Sequence, residues 1–185
     1  MKKAIEKLLE RLIGLPLWDA GRSVSLVWFD FGKNITQSTN RKGKTIFLGA
    51  YTVDTEATWR IRDRQGIVVA SSDRFYAAGK DPYKGFEDVD WEDRPGENRC
   101  HERLEKLIAQ HKKSPLVVLS GEANDWGGLT IDLSREFVVE IFQNNSLEGE
   151  YWRMYESVPK GNKHFVFSTH NIRNMKKTIL CLSLW

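Results

Sequence analysis

Cysteine is scarce in this chain: Cys100 and Cys181 are the only two in 185 residues, and they form no Cys-x-x-Cys pair. Two distant thiols supply neither zinc-ligand spacing nor a disulfide framework. There are four histidines, and none belongs to a His-Glu-x-x-His motif. His101 and His111 stand ten apart, so neither has a second ligand one helical turn away. No apolar run approaches the roughly 20 residues needed to span a bilayer. The opening MKKAIEKLLERLIG interrupts its apolar residues with charge and lacks a small-residue cleavage site, unlike a signal peptide. A reduced, cytoplasmic protein without membrane attachment is the expectation.

Charge of one sign is also lacking. The 28 basic and 25 acidic residues leave a net charge of +3. Nucleic-acid binders usually cluster their cations on one face, so no nucleic-acid partner is expected. There is no phosphate-cradling loop, dinucleotide fingerprint or Gly-x-Ser-x-Gly elbow.

Aromatic residues are abundant, with seven Trp and nine Phe. They fit pleated surfaces and interfaces, so they favour β structure. The chain organises around Thr45 to Tyr76, which reads as two long strands joined by a turn at Asp63–Gly66. Before it, Ile5, Leu8, Leu9, Leu12 and Ile13 recur at helical spacing, and Gly14 and Pro16 stop the helix, giving a helical lead-in over residues 1–22. Ser23 to Gly32 reads as a strand apolar on both faces. His101 to Lys112 is a second helix, with Leu104, Leu107 and Ile108 on one side. Strands follow at Leu116–Glu122, Gly128–Ser134, Phe137–Gln143, Tyr151–Glu156 and Lys163–Thr169, and residues 170–185 form a tail whose plainest structure is a last strand. The expected fold is α+β in a single domain, 1–185. It is a mainly antiparallel curved sheet or open barrel of about eight or nine strands with an N-terminal and a mid-chain helix.

Two candidate sites emerge. Residues 77–99 form a long loop with seven carboxylates. Asp88, Asp90 and Glu92 alternate, so an extended chain puts them on one side with Asp93 adjacent, a surface for a basic protein partner. The same carboxylates raise the option of a metal-dependent hydrolase, but the spacing does not match a calcium loop and no metal or other cofactor is assigned. The second site groups Trp59, Arg60, Asp73, Tyr76, Trp152 and Arg153. Arginine recognises phosphate or carboxylate and aromatics stack, so these residues could hold a small ligand. Strand alternation requires that if Trp59 and Trp152 are core, Arg60 and Arg153 face outward, or the reverse. Ser71-Ser72-Asp73 fits local hydrogen bonding at a strand end. Cys100 opens a helix, where a thiol can be activated, yet it reads as a plain free thiol.

The stretches RSVSLVWFDFG, LGAYTVDTEATWRI, GIVVASSDRFY, WEDRPGENRCHERL, NDWGGLTIDL and EGEYWRMYE resemble a family of small uncharacterised bacterial proteins over residues 10–168. Size and α+β make-up are also loosely similar to immunity proteins that neutralise toxins. The resemblance implies no activity, cofactor or catalytic residue. A non-enzymatic binding protein of immunity-like type is the expected function, with a small-molecule binder as the alternative and a metal-dependent hydrolase third.

Overall fold

The computed structural model describes residues 1–33, 36–39, 45–79, 98–157, 163–168 and 171–176. The expected α+β architecture is present: two helices and an open, antiparallel, bent sheet. Helix α1 spans Lys2–Leu9, and a 3-10 turn at Glu10–Leu12 extends it. Its apolar stripe, Ile5, Leu8, Leu9 and Leu12, is buried as its periodicity requires.

Gly14 leaves the helix at φ +81. Pro16, which has no N–H to give a ladder, then opens strand β1 (Pro16–Ser23). The lead-in is therefore helical only in its first half. The sequence pattern hides β1 because a bulge between Leu17 and Asp19 breaks the alternation of its buried residues. The further strands are β2 (Leu26–Phe31), β3 (Thr36–Thr39), β4 (Thr45–Leu48), β5 (Tyr51–Thr55), β6 (Thr58–Arg62) and β7 (Ile67–Ala70). Helix α2 (Arg99–His111) precedes β8 (Leu116–Ala123), β9 (Leu129–Leu133), β10 (Val138–Phe142), β11 (Glu150–Glu156), β12 (Lys163–Ser168) and β13 (Asn171–Lys176).

Eleven strands form one sheet in the order β13-β12-β11-β5-β2-β1-β8-β9-β10-β6-β7, and β3 pairs with β4 separately. This exceeds the eight or nine expected because β1 lies within the expected helical lead-in and because the stretch from Thr45 to Tyr76 is not one hairpin. It breaks at Gly49-Ala50 and again at Glu56-Ala57, yielding β4, β5, β6 and β7 and a closing 3-10 turn at Ser71–Phe75. Only β6 and β7 form the anticipated hairpin across Asp63–Gly66. The anticipated terminal strand is present as β13.

Strands β1 and β8 pair only at Pro16↔Val117 and Leu17↔Leu116. The sheet bends at this short seam into two wings. Ala20, Phe29, Val53, Met154 and Phe165 form one inward row across the first wing. Gly121, Ile131, Val139, Ile61 and Val69 form the matching row across the second. The wings meet where the Phe29 and Trp59 rings pack edge to face, 5.4 Å apart. Helix α1 packs on β8, with Leu9 over Gly121, where a Cβ would come within 2.6 Å. Arg11 reaches from its end to Glu156 (3.4 Å) and the Phe165 ring in the first wing. Helix α2 touches β1 and β7, and Asn98 caps it by accepting the His101 N–H. It also protects the β7 edge: Arg103 donates to the Val68 carbonyl, while Asp73 accepts the Ala70 N–H. Both edge groups are thereby withdrawn from pairing with another chain.

The β9–β10 turn is strained. Arg135 and Glu136 both have left-handed backbone, with φ 61 and 62. Each such non-glycine residue costs about 1–2 kcal/mol. Arg135 bonds to His111 and Ser114, whereas Glu136 makes only an exposed 3.9 Å pair with Arg64. Glu136→Gly is therefore expected to raise unfolding free energy by about 1 kcal/mol, measured by urea denaturation. A loss of stability would show that the turn is not strained.

Candidate functional site

The carboxylates Asp88, Asp90, Glu92 and Asp93 lie outside the described residues. The six residues of the second candidate site fall in three places. Trp59 is core, against Phe29, and Arg60 points outward to Glu140 at 2.5 Å, with Arg62 on the same carboxylate. These cations hold the Glu140 carboxyl below its usual range, its hydrogen bond to Arg60 having the largest effect. Trp152 is buried and stacked on Phe167, with 5.4 Å between centroids and a 10° tilt. Its neighbour Arg153 emerges on the other face, paired with Glu150 and donating to the Tyr155 hydroxyl. Asp73 and Tyr76 do come together, where the 3-10 turn meets α2. Asp73 pairs with Arg99 at 3.4 Å, and the Tyr76 carbonyl accepts the Arg99 N–H. Strand parity thus sends each tryptophan inward and its arginine outward, and β6 and β11 lie in different wings.

The outward face of the first wing holds a polar row that sequence periodicity did not single out. Asp19, Asp30, Thr52 and Tyr155 are successive cross-strand neighbours on β1, β2, β5 and β11. Asp54, two residues beyond Thr52, sits opposite Arg153. Asp30 and Asp54 are only 3% and 6% exposed. Burial pushes the Asp30 carboxyl up to about 7 against the hydrogen bond from Thr52, and Asp19 and Asp54 add repulsion. Burial likewise pushes Asp54 up to about 6, opposed by a bond from Tyr155 and by the Arg153 charge. The Tyr155 hydroxyl is raised by burial first and by Asp54 next. The only signal in the sequence was Asp30 interrupting the otherwise apolar strand Leu26–Phe31.

This row has a pH consequence. Below an unfolded-chain pKa near 3.9, Asp30 is protonated in both states and costs nothing. From there to about 7 the unfolded chain ionises first, so stability falls as pH rises and then levels off. Asp30→Asn removes this loss. Urea unfolding is expected to find the variant more stable than the parent at pH 8, by on the order of 1–3 kcal/mol, and about equal at pH 4. Equal stabilities at both pH values would mean that Asp30 titrates normally.

A second feature lies at one end of the strands. Register places four turns there: Val24-Ser25 between β1 and β2, Glu56-Ala57 between β5 and β6, residues 124–128 between β8 and β9, and residues 143–149 between β10 and β11. Trp126 is 77% exposed and Leu147 71%. The same device presents both. Asn124 Oδ1 accepts the N–H of Trp126 (2.9 Å) and of Gly128 (2.8 Å), and Asn145 Oδ1 accepts that of Leu147 (2.9 Å). Such side-chain turns fix the backbone locally.

Both turns rest on one aromatic floor. The Trp152 indole donates to the Gly127 carbonyl at 2.9 Å, and the Tyr151 hydroxyl donates to the Leu147 carbonyl at 2.7 Å. Phe167 lies between, tilted on Tyr151 and stacked on Trp152, so close to Gly127 that a Cβ there would come within 1.9 Å. Gly127 also has φ +84, a second reason for glycine. The four turns carry exposed Glu56, Asp125 and Glu148, and no lysine or arginine. Arg64, Lys112, Lys113 and Arg135 lie at the opposite end, together with Asp63 and Glu136.

Among the described residues, no group of three or more His, Cys, Asp or Glu side chains is arranged to hold a metal ion. No described helix is long and apolar enough to cross a membrane. Cys100 is buried, and burial pushes its thiol up to about 12, so the helix start does not activate it. No protein-family model, curated protein or solved structure matches this chain.

Proposed function

We propose that this chain is a non-enzymatic binding protein, immunity-like in the broad sense of masking another protein, and that it holds a basic protein partner at the acidic turn end. The observation that carries this is Trp126, 77% exposed on a turn that Asn124 and the Trp152–Gly127 bond hold in place. Leaving an indole in water forgoes about 2–3 kcal/mol of burial, which the fold does not recover. Tryptophan is among the residue types that dominate interface hot spots, and a prearranged turn lowers the entropy lost on docking.

Charge selects the partner. Glu56, Asp125 and Glu148 are exposed on these turns, which carry no lysine or arginine of their own, a pattern complementary to lysine- and arginine-bearing protein surfaces. The same carboxylates repel phosphate polymers and anionic lipid. The free, buried Cys100 is in keeping with a reducing, cytoplasmic setting.

The test is co-purification with a tagged chain, comparing the parent with Trp126→Ala and with Asp125→Lys/Glu148→Lys. A stoichiometric partner is expected from the parent. Trp126→Ala should weaken it about 30-fold, the effect of a 2 kcal/mol hot spot, while leaving the melting midpoint unchanged. The charge-reversed variant should bind more weakly at low salt, with the difference shrinking as salt is raised. Undiminished binding by both variants would remove the proposal.

A further inference from the structure

Helix α2 carries Arg99, Arg103 and Lys106 one to two turns apart, so the three cations share one side of it. They line a groove of about 470 Å³ that Val68 of β7 and Gly79 also border, a size that suits a small ligand. Two of the cations are fixed from the protein side. Arg103 Nη1 donates to the Val68 carbonyl at 2.5 Å, and Arg99 Nε pairs with Asp73 at 3.4 Å. Among the described residues, the side chains of Arg103 and Arg99 make no further bonds, and the Lys106 ammonium makes none at all.

Two carboxylates stand nearby, and both are engaged with the protein. Asp73 accepts the Ala70 N–H and holds Arg99, and Glu102 accepts the Gly79 N–H at 3.0 Å. The groove therefore keeps an excess of positive charge and several N–H donors that the fold does not use. Arg99 and Arg103 are also like charges four residues apart, an arrangement that disfavours a helix until an anion lies between them. Guanidinium forks recognise oxyanions bidentately, and lysine adds a point charge. One fork suffices for a carboxylate. Three cations match a phosphate group, with its near-double charge and three accepting oxygens. We infer that the groove between α2 and β7 is a binding site for a small phosphate-bearing molecule, held by Arg99, Arg103 and Lys106. Val68 and Leu107 give its organic part an apolar wall. Asp73, grouped from the sequence with a small-ligand site, enters here as the residue that positions Arg99. The site is independent of the acidic turns and of the partner proposed for them.

The probe is inorganic phosphate, titrated into the full chain at about pH 8, where it is mainly a dianion, and followed by backbone-amide NMR. Acetate at matched ionic strength is the monoanionic control. Phosphate is expected to bind about tenfold more tightly than acetate, with the largest shifts on α2. Lys106→Gln should weaken phosphate about tenfold and leave the melting midpoint within about 1 °C, since this ammonium is exposed and unbonded in the free protein. Arg99→Lys keeps the charge but loses the fork, and should weaken phosphate several-fold. A parent that binds phosphate no more tightly than acetate, or that shows its largest shifts away from α2, would overturn the assignment. So would either variant binding phosphate as tightly as the parent. None of these outcomes touches the partner proposed for the acidic turns, which Trp126→Ala reads separately.

Discussion

Two residue pairs, Pro16↔Val117 and Leu17↔Leu116, join the halves of the sheet, and the bend at that seam decides almost everything else. A longer β1–β8 ladder would continue the sheet's ordinary twist and leave each inward row facing a helix alone. Because the ladder stops after two pairs, the wings turn toward one another and Phe29 reaches Trp59. The edge-to-face contact adds about 0.5–1.5 kcal/mol beyond the area it buries. The helices then serve as packing between wings. Helix α1 touches β8 and reaches β11 and β12 through Arg11, and α2 touches β1 and β7. The bulge at Leu17–Asp19 lies in β1 just past the seam, where it adds local bend.

The elements that the sequence announced were those whose periodicity survives in isolation. Ile5, Leu8, Leu9 and Leu12 mark α1, and Leu104 and Leu107 mark α2, because a helix buries one stripe whatever it packs on. The strands from β8 to β12 were legible from short apolar alternations between turn residues. Strand β1 was not, since its bulge shifts the inward positions. The division of Thr45–Tyr76 was hidden for another reason. β5 and β6 follow one another in sequence but belong to different wings, and nothing local distinguishes a crossing between wings from a hairpin. Among the site residues, parity was readable and location was not. Trp59 and Trp152 are core and their arginines emerge, as alternation demands, but only strand order could show that the two pairs lie far apart in the sheet. Trp126 sat in plain view within a predicted turn, and its exposure depends on Phe167 filling the space behind Gly127.

The two faces of the first wing obey different rules. Its inward rows are mainly apolar, with Arg22 and Thr55 as buried, hydrogen-bonded exceptions. Its outward face buries Asp30 and Asp54, which raises their pKa values and makes the fold less stable at neutral pH than an apolar face of the same shape would be. Their bonds tie three strands together: Thr52 on β5 serves Asp30 on β2, and Tyr155, backed by Arg153, serves Asp54 from β11. Such bonds are lost when a strand slips by one residue, which would bring apolar side chains to this face and leave the carboxylates in the core. The row therefore fixes register between β2, β5 and β11, and that register in turn sets which turns gather at the end of the strands that carries Leu147.

The exposed apolar tips and the buried floor that holds them lie at one end of the strands. The aromatic floor of Tyr151, Trp152 and Phe167 is buried and bonded to the turns above it, so it transmits rigidity to the tips without being exposed itself. The tips invert the ordinary rule for turns. Positions 126 and 147 carry exposed tryptophan and leucine, and asparagines set two residues back hold them in place. A turn optimised for folding alone would use its polar residues at the apex and bury its apolar ones. Two turns of one end reverse that arrangement, with Trp126 and Leu147 in water, and the packed floor beneath holds both in place.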